Sequence, residues 1–415
     1  MTGLLKLAAR NLLRYRRRTL LTSTLIVIGV VAVLAFMAVA GSFKNMMVGT
    51  ITDSMLGHLQ VHRKGYVASI DSLPLNLNMA PPMVARMEAA LKGNKAVVAW
   101  SHRVKFGAMF SNFAETTSIR VNGIDPAAEA ATTPLLPGRL REVARGEAML
   151  ARGEILVPAL LARGLGVKAG DEVVLIATNQ DGSVNGKTFK VRSEVDSVTG
   201  PGGRDGYIHI EDARELLRMT RPEVSETAVR VANLDMVEET ADALKSALAD
   251  VKNQKGMAVL DVHPWQRLSP FANVANMIDM LTVFIRFMLI AIVLVSVMNV
   301  MVMAVYERIR EIGTVAAIGT RPARILGLFL SEGLLLGIVG CLAGIAVSFG
   351  VIYALNMAEL TFAFGQQSDL PLRGAIHLRD VVQIGAMVIA VAVVASLQPA
   401  WKASRMDPIT ALRHV

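Results

Sequence analysis

The stretch DGSVNGKT at 181–188 comes close to the Gly-rich loop that cradles nucleotide phosphates. That loop needs a glycine five residues before Gly186, where this chain has Asp181, with its glycine displaced to Gly182. TFKVRS follows, a strand pattern rather than the helix whose N-terminus would face a phosphate. The segment therefore reads as a β-hairpin turn. His58 and His62 share one face of HLQVH, but no carboxylate stands at metalloprotease spacing. They read as solvated strand polars and not as zinc ligands. TGPGG at 199–203 reads as a mobile loop, and no G-x-S-x-G elbow or pair of catalytic acids stands out. The single cysteine, Cys341, has no disulfide partner within the chain. These residues predict a non-enzymatic chain with no catalytic centre, no directly bound cofactor and no metal.

The elements that hold these residues divide sharply by composition. Of 415 residues, 53% are hydrophobic and 19% charged, with a mean hydropathy of +0.46. This is too apolar for a wholly soluble or disordered chain and too charged for a wholly embedded one. The net charge of +9 is unevenly placed. Residues 1–18 hold six basic side chains (Lys6, Arg10, Arg14, Arg16, Arg17, Arg18) and no acid. Residues 306–324 hold four basic and two acidic, and 399–415 three and one. Between them, 41–279 balances 27 basic against 27 acidic residues, and 357–380 holds two against three. Short basic flanks alternating with neutral segments follow the positive-inside rule, which argues against a nucleic-acid partner and for a lipid membrane.

A helix needs about 20 apolar residues to cross about 30 Å of hydrocarbon. Residues 20–40, 280–305 (with Arg286), 325–356 (with Glu332) and 381–398 qualify. The flanks predict 1–19 and 399–415 on the cytoplasmic side, together with the connection 306–324. They place 41–279 and the loop 357–380 on the far side. Ala38-Val39-Ala40 resembles a cleavage site, but the first apolar run of about 21 residues exceeds the 7–15 of a signal peptide, so it is read as an uncleaved anchor. The fold class expected is membrane α-helical, four transmembrane helices in a one-plus-three arrangement, with a large α+β domain inserted after the first.

Within 41–279, Phe43, Met46, Met47, Ile51 and Met55 recur at helical spacing, which extends the first crossing outward as an amphipathic stalk. HLQVH (58–62), 97–110 and 117–124 read as strands, and 81–92 as a helix. Residues 154–178 read as strand, short helix, turn and strand. YIHI (207–210) and ETAVRV are strands, each followed by a helix, the second at 236–248.

The densest constellation is ERIREIGTVAAIGTRPARILGLFLSEGLLLGIVG, from Glu307 to Gly340. A short amphipathic segment stands between two crossings. Val315, Ala316 and Ile318 form an apolar patch between Arg308, Arg310 and Glu311 on one side and Arg321 and Arg324 on the other. Gly319 and Pro322 close the segment. An interfacial loop is the plainer reading and a docking helix for a cytoplasmic partner the sharper one.

This run resembles the cytoplasmic coupling segment of ABC transporter permeases of the FtsX-like, macrolide-exporter or type VII superfamily. The matching residues are Glu307, Arg308, Arg310, Glu311, Ile312, Gly313, Ala317 and Gly319, followed by Phe329, Leu330, Glu332 and Gly333. The ending resembles the family's at Pro399, Ala400, Lys402, Arg405, Asp407, Pro408, Ala411, Leu412 and Arg413, and LARGLGVKAGD (161–171) resembles its external-domain signature. VAAIG (315–319) departs from the pattern, since members often carry an arginine before the alanine. GHLQVHRKGY (57–66) and VNGIDPAAE (121–129) are most similar to the lipoprotein-release branch.

The resemblance implies a periplasmic α+β domain and a bacterial inner-membrane location. It also implies two copies of a separate cytoplasmic ABC ATPase, which bind ATP and Mg, and a second permease copy in a homodimer or heterodimer. A periplasmic carrier or adaptor is a further implied partner. Motion of the ATPases would pass through the coupling segment to the external domain, which extracts or exports lipoprotein or lipidic cargo. Part of a tripartite efflux pump, and a transmembrane signalling scaffold that activates a periplasmic enzyme, remain open alternatives. Gly333/Gly337 and Gly340/Gly344 permit close helix contact within or between protomers. Glu332 and Arg286 read as structural charges, and an exposed Met46, Met47 and Met55 would suit a greasy cargo.

Overall fold

The computed structural model describes residues 2–141, 148–197, 203–252, 256–364, 367–407 and Ala411. Residues 199–202 of the glycine-rich loop, Pro408, Leu412 and Arg413 lie outside the described residues. In chain order the elements begin with α1 (Thr2–Arg14), α2 (Arg16–Ile51), β1 (Leu59–Arg63), α3 (Pro81–Gly93), β2 (Val97–Ser111), β3 (Thr116–Ile124) and α4 (Pro126–Thr132). Next come β4 (Glu154–Pro158), α5 (Ala159–Leu165), β5 (Glu172–Thr178), β6 (Val184–Val195), β7 (Asp205–His209) and α6 (Ile210–Leu216). Then follow β8 (Glu226–Val231), α7 (Val237–Leu248), β9 (Leu260–Pro264), α8 (Trp265–Leu268), α9 (Phe271–Glu307) and α10 (Ile309–Ala317). The last are α11 (Pro322–Met357), β10 (Thr361–Phe364), β11 (Gln367–Pro371) and α12 (Leu378–Ser404). They form two compact units, a helical one (1–44, 276–360, 371–415) and a mixed one (45–275, 361–370).

In the helical unit α2, α9, α11 and α12 are long and apolar enough to cross a membrane. Each outruns its apolar stretch: α9 has 37 residues and α12 continues through Pro399 to Ser404. The core is aliphatic, with Ile26, Val30 and Leu34 of α2, Val293 and Val297 of α9, Leu336 of α11 and Val388 and Ala392 of α12. The glycines of α11 set its two close approaches. A Cβ on Gly337 would stand 2.8 Å from Ala392 Cβ, and Gly333 lies against Ser396, so both seat α12. A Cβ on Gly340 would stand 2.8 Å from Ile26, and on Gly344 2.7 Å from Val30, so both seat α2. Gly344→Val is expected to cost about 1–3 kcal/mol by overpacking, read as a lower unfolding temperature of the purified full chain; an unchanged temperature would mean that α2 does not pack there.

The mixed unit is built on one long strand. β2 pairs with β3, which continues through β7, β4, β6 and β5 back to β2, closing a six-stranded ring. Alternation along β2 sends Val104, Phe106, Ala108 and Phe110 inward, against Val121, Ile155, Leu175, Phe189 and Ile208. The first half of β2 instead joins β8, β1 and β9 in an antiparallel sheet, with α7 against β9. Gly166, the C-cap of α5, adopts φ +66° in LARGLGVKAGD, which favours glycine there. In VNGIDPAAE, Asp125 caps α4 by accepting from Ala127 N and Ala128 N at 2.9 and 3.0 Å.

Three sequence readings change here. His58 and His62 are buried and not solvated, because β1 is an interior strand between β8 and β9. The stalk methionines are not an open face: Met47 is 1% exposed, and Met46 and Met55 are half-buried. The reason is that α2 runs straight into a π-helical turn, Thr52–Leu56, fastened within the mixed unit. Leu135 N donates to Asp53 O (2.8 Å) and Arg139 Nη1 to Ser54 O (2.8 Å). Finally, β9, β10 and β11 were not foreseen. The phosphate-loop look-alike is indeed a hairpin, β5–β6, with Gly182 at φ +83° and Lys187 bonded to Asp212 (3.0 Å) and Glu215 (2.5 Å).

Candidate functional site

The helical path breaks at Arg308 (φ −114°, ψ 18°), which turns the chain from α9 into α10. Gly319 (φ +93°) ends the segment, and Pro322 starts α11 at a position that needs no amide hydrogen. The corner is held by charge. Arg308 Nη1 donates to Glu332 Oε1 at 2.8 Å, and its Nε donates to Glu311 Oε2 at 3.2 Å. Asn11 Nδ2 reaches the same Glu332 oxygen at 2.7 Å, and Arg14 lies 3.6 Å from Glu311. The guanidinium of Arg308 also sits 5.6 Å above the Phe329 ring. Arg308 is 8% exposed and Glu332 1%, so the pair is removed from water and joins the corner between α9 and α10 to α11 and α1.

On α10, Ile312 and Gly313 are buried, and Ala316 packs on the helical core. Val315, Ala317 and Ile318 turn outward, with Ile318 80% exposed. Glu307, Arg310, Glu311, Gly319, Arg321 and Arg324 are exposed around them. Of the residues singled out in the sequence, the structure thus brings Arg308, Glu311, Ile312, Gly313 and Glu332 together. It leaves Glu307, Arg310, Ala317 and Gly319 on the outer surface. Asn11 was missed; its signal was a single amide beside Ala8 and Leu12 on the inward side of α1.

Arg286 lies on α9, 22 residues before Arg308 in the sequence, or about 33 Å along a helix, close to the thickness of a hydrocarbon core. It approaches Met37 Sδ at 3.6 Å and Asp380 at 4.0 Å.

A second charged cluster lies inside the mixed unit. Arg103 Nε and Nη2 donate to Glu129 (3.0 and 2.5 Å), and its Nη1 to Glu226 (3.0 Å). Lys105 Nζ stands 2.9 Å from Glu226, and His62 Nε2 3.6 Å from it. Burial disfavours the Glu226 carboxylate, but Lys105, His62 and Arg103 outweigh it and hold its carboxyl well below the usual range. The cluster ties β2, β8, β1 and α4 into one body. That body is where the chain leaves for the helices: Leu59 pairs with Pro264, and Trp265 N donates to His58 O at 3.1 Å. Among the described residues no group of three or more His, Cys, Asp or Glu side chains is placed to hold a metal ion.

Four membrane-length helices in a one-plus-three order, with an α+β unit after the first and a charge-locked corner between the second and third, describe a multi-pass membrane protein. The MacB-like periplasmic core domain matches residues 19–247, and the FtsX-like permease C-terminal domain matches 283–408. The chain belongs to the family of FtsX-like ABC transporter permeases with a MacB-like periplasmic core domain. It is 23% identical to the lipoprotein-releasing system transmembrane protein LolC of Neisseria meningitidis, over 94% of this chain and 92% of LolC. It is 38% identical to the ABC transporter permease YtrF of Bacillus subtilis, over 27% of each chain. It is also 39% identical to the pyoverdine export ATP-binding/permease protein PvdT of Pseudomonas putida, over 27% of this chain and 15% of PvdT. The chain thus matches about a quarter of YtrF and nearly all of LolC. Membership implies an ATPase partner and a membrane.

Proposed function

We propose that this chain is the non-catalytic permease subunit of a type VII ABC transporter in a bacterial inner membrane, with both termini cytoplasmic. Two copies, identical or paired with a related chain, work with two copies of a separate ATPase that binds the ATP and Mg. The ATPase engages Val315, Ala317 and Ile318, together with the charges at Glu307, Arg310 and Glu311. Movement of α10 is carried by the Arg308–Glu332 lock into α9 and α11. The cargo is a lipoprotein or another lipidic molecule, taken from the outer leaflet and passed to a periplasmic carrier or adaptor.

The observation that carries this reading is the lock itself. A loop that merely connected two crossings would have no need to bury an ion pair, since desolvating two charges costs several kcal/mol per ion. The nearly full-length similarity to LolC supports the cargo class. Similarity to PvdT over 111 residues supports export through an efflux assembly as the second reading.

Charge reversal at Glu311 or Arg310 is expected to abolish stimulation of the co-purified ATPase while leaving the chain inserted. Mass spectrometry of what remains bound in nanodiscs identifies the ATPase and cargo. Full stimulation by both variants would remove the coupling assignment.

A further inference from the structure

The coupling reading uses α1 only through Asn11 and Arg14, yet the outward side of this helix is a surface of its own. Lys6, Arg10 and Arg14 recur every four residues, and Arg17 follows just past the Tyr15 kink; all four are exposed. Leu7 and Leu13 flank that row and stay 52% and 65% exposed. The inward side packs: Ala8 is buried, Leu12 joins the helical core, and Asn11 reaches Glu332. Arg14 faces Glu311, whereas Lys6, Arg10 and Arg17 have no acidic partner among the described residues.

A basic row bordered by exposed leucines is the composition of a helix lying in a headgroup layer, where leucine enters hydrocarbon and the cations stay among phosphates. The level fits. Asn11 and Arg308 bind the same Glu332 oxygen at the end of α9, about 33 Å along that helix from Arg286. An acidic protein surface would satisfy the cations but offer the two leucines no hydrocarbon to enter. We propose that α1 and the first turn of α2 bind anionic phospholipid headgroups through Lys6, Arg10 and Arg17, on the side away from the one packed on α11. The proposal rests on the orientation given above only in naming the leaflet as cytoplasmic. Because Asn11 and Arg14 sit on the same helix, headgroup charge is linked to the Glu332 and Glu311 corner.

The test uses the full chain in bilayers of phosphatidylcholine carrying spin-labelled phosphatidylglycerol or spin-labelled phosphatidylcholine, with the motionally restricted lipid measured for each. The wild type is expected to prefer the anionic lipid. Lys6→Gln/Arg10→Gln and Arg17→Gln should each lower the preference by roughly fivefold per cation removed. Raising salt from about 0.05 to about 0.5 M should weaken the wild-type preference without any substitution. A wild type without preference, or variants that keep it, would overturn the proposal. So would variants with unchanged lipid selectivity but weakened ATPase binding, which would assign the surface to protein. Neither ATPase nor cargo is present in the lipid measurement, so its failure leaves the coupling reading standing, and failure of coupling leaves the lipid result standing.

Discussion

Arg308→Met is expected to destabilise the helical unit by about 3–5 kcal/mol, because Glu332 is left buried with only Asn11 to meet its charge. The measurement is reversible unfolding of the full chain in mixed micelles. The double variant Arg308→Met/Glu332→Leu separates stability from mechanics. Replacing a buried ion pair by apolar side chains of similar volume is often neutral or stabilising, so the double variant should recover most of the loss. Stimulation of the ATPase should not recover with it, since the corner between α9 and α10 is no longer fixed to α11. A double variant that regained both would reduce the pair to a packing device.

The second large effect belongs to the mixed unit. Arg103→Met leaves the buried Glu129 with the Thr133 hydroxyl and Glu226 with Lys105 and His62 in place of the shared guanidinium, again an expected loss of about 3–5 kcal/mol. Its pH dependence has a definite sign. The native pKa of Glu226 is depressed below the unfolded value of about 4.3. Its contribution is therefore complete above that value and is lost as pH falls toward the depressed native one. Removing Arg103 raises the native value, so the penalty of the substitution should shrink on acidification from pH 7 to pH 4. Hydrogen exchange of the β2 and β8 amides in the full chain reads both effects. A penalty that grew with acid would contradict the assignment of Glu226 as a native carboxylate.

The four crossings were legible because bilayer thickness fixes a length and a composition that few other structures satisfy. Their ends were not. Pro399 looked like the start of a tail, yet α12 passes through it to Ser404. Proline is tolerated where neighbouring helices can compensate for the lost hydrogen bond. Most strands of the mixed unit were visible from alternation, whereas β9 is only five residues (LDVHP) and ends in proline, which hides it. Its partner β1 lost its meaning with it: without β9 on one side, His58 and His62 looked like an exposed edge. The glycine spacing in α11 announced close packing, but spacing alone could not say that α12 and α2 are the helices seated there. Between α9 and α11, Glu307–Gly319 reads from the sequence as a surface segment. That Arg308 turns inward to a glutamate 24 residues on is a long-range fact that no local pattern encodes.

The central claim is that α10 is a lever exposed to the ATP-bearing compartment. Ile318→Cys places a thiol just past the last residue of α10, at the most exposed apolar position of the segment, and the native Cys341 is buried and so adds little background. A membrane-impermeant maleimide should label this thiol in inverted vesicles and not in intact spheroplasts, and bound ATPase should block the reaction. Labelling from the outside of intact spheroplasts would contradict the account.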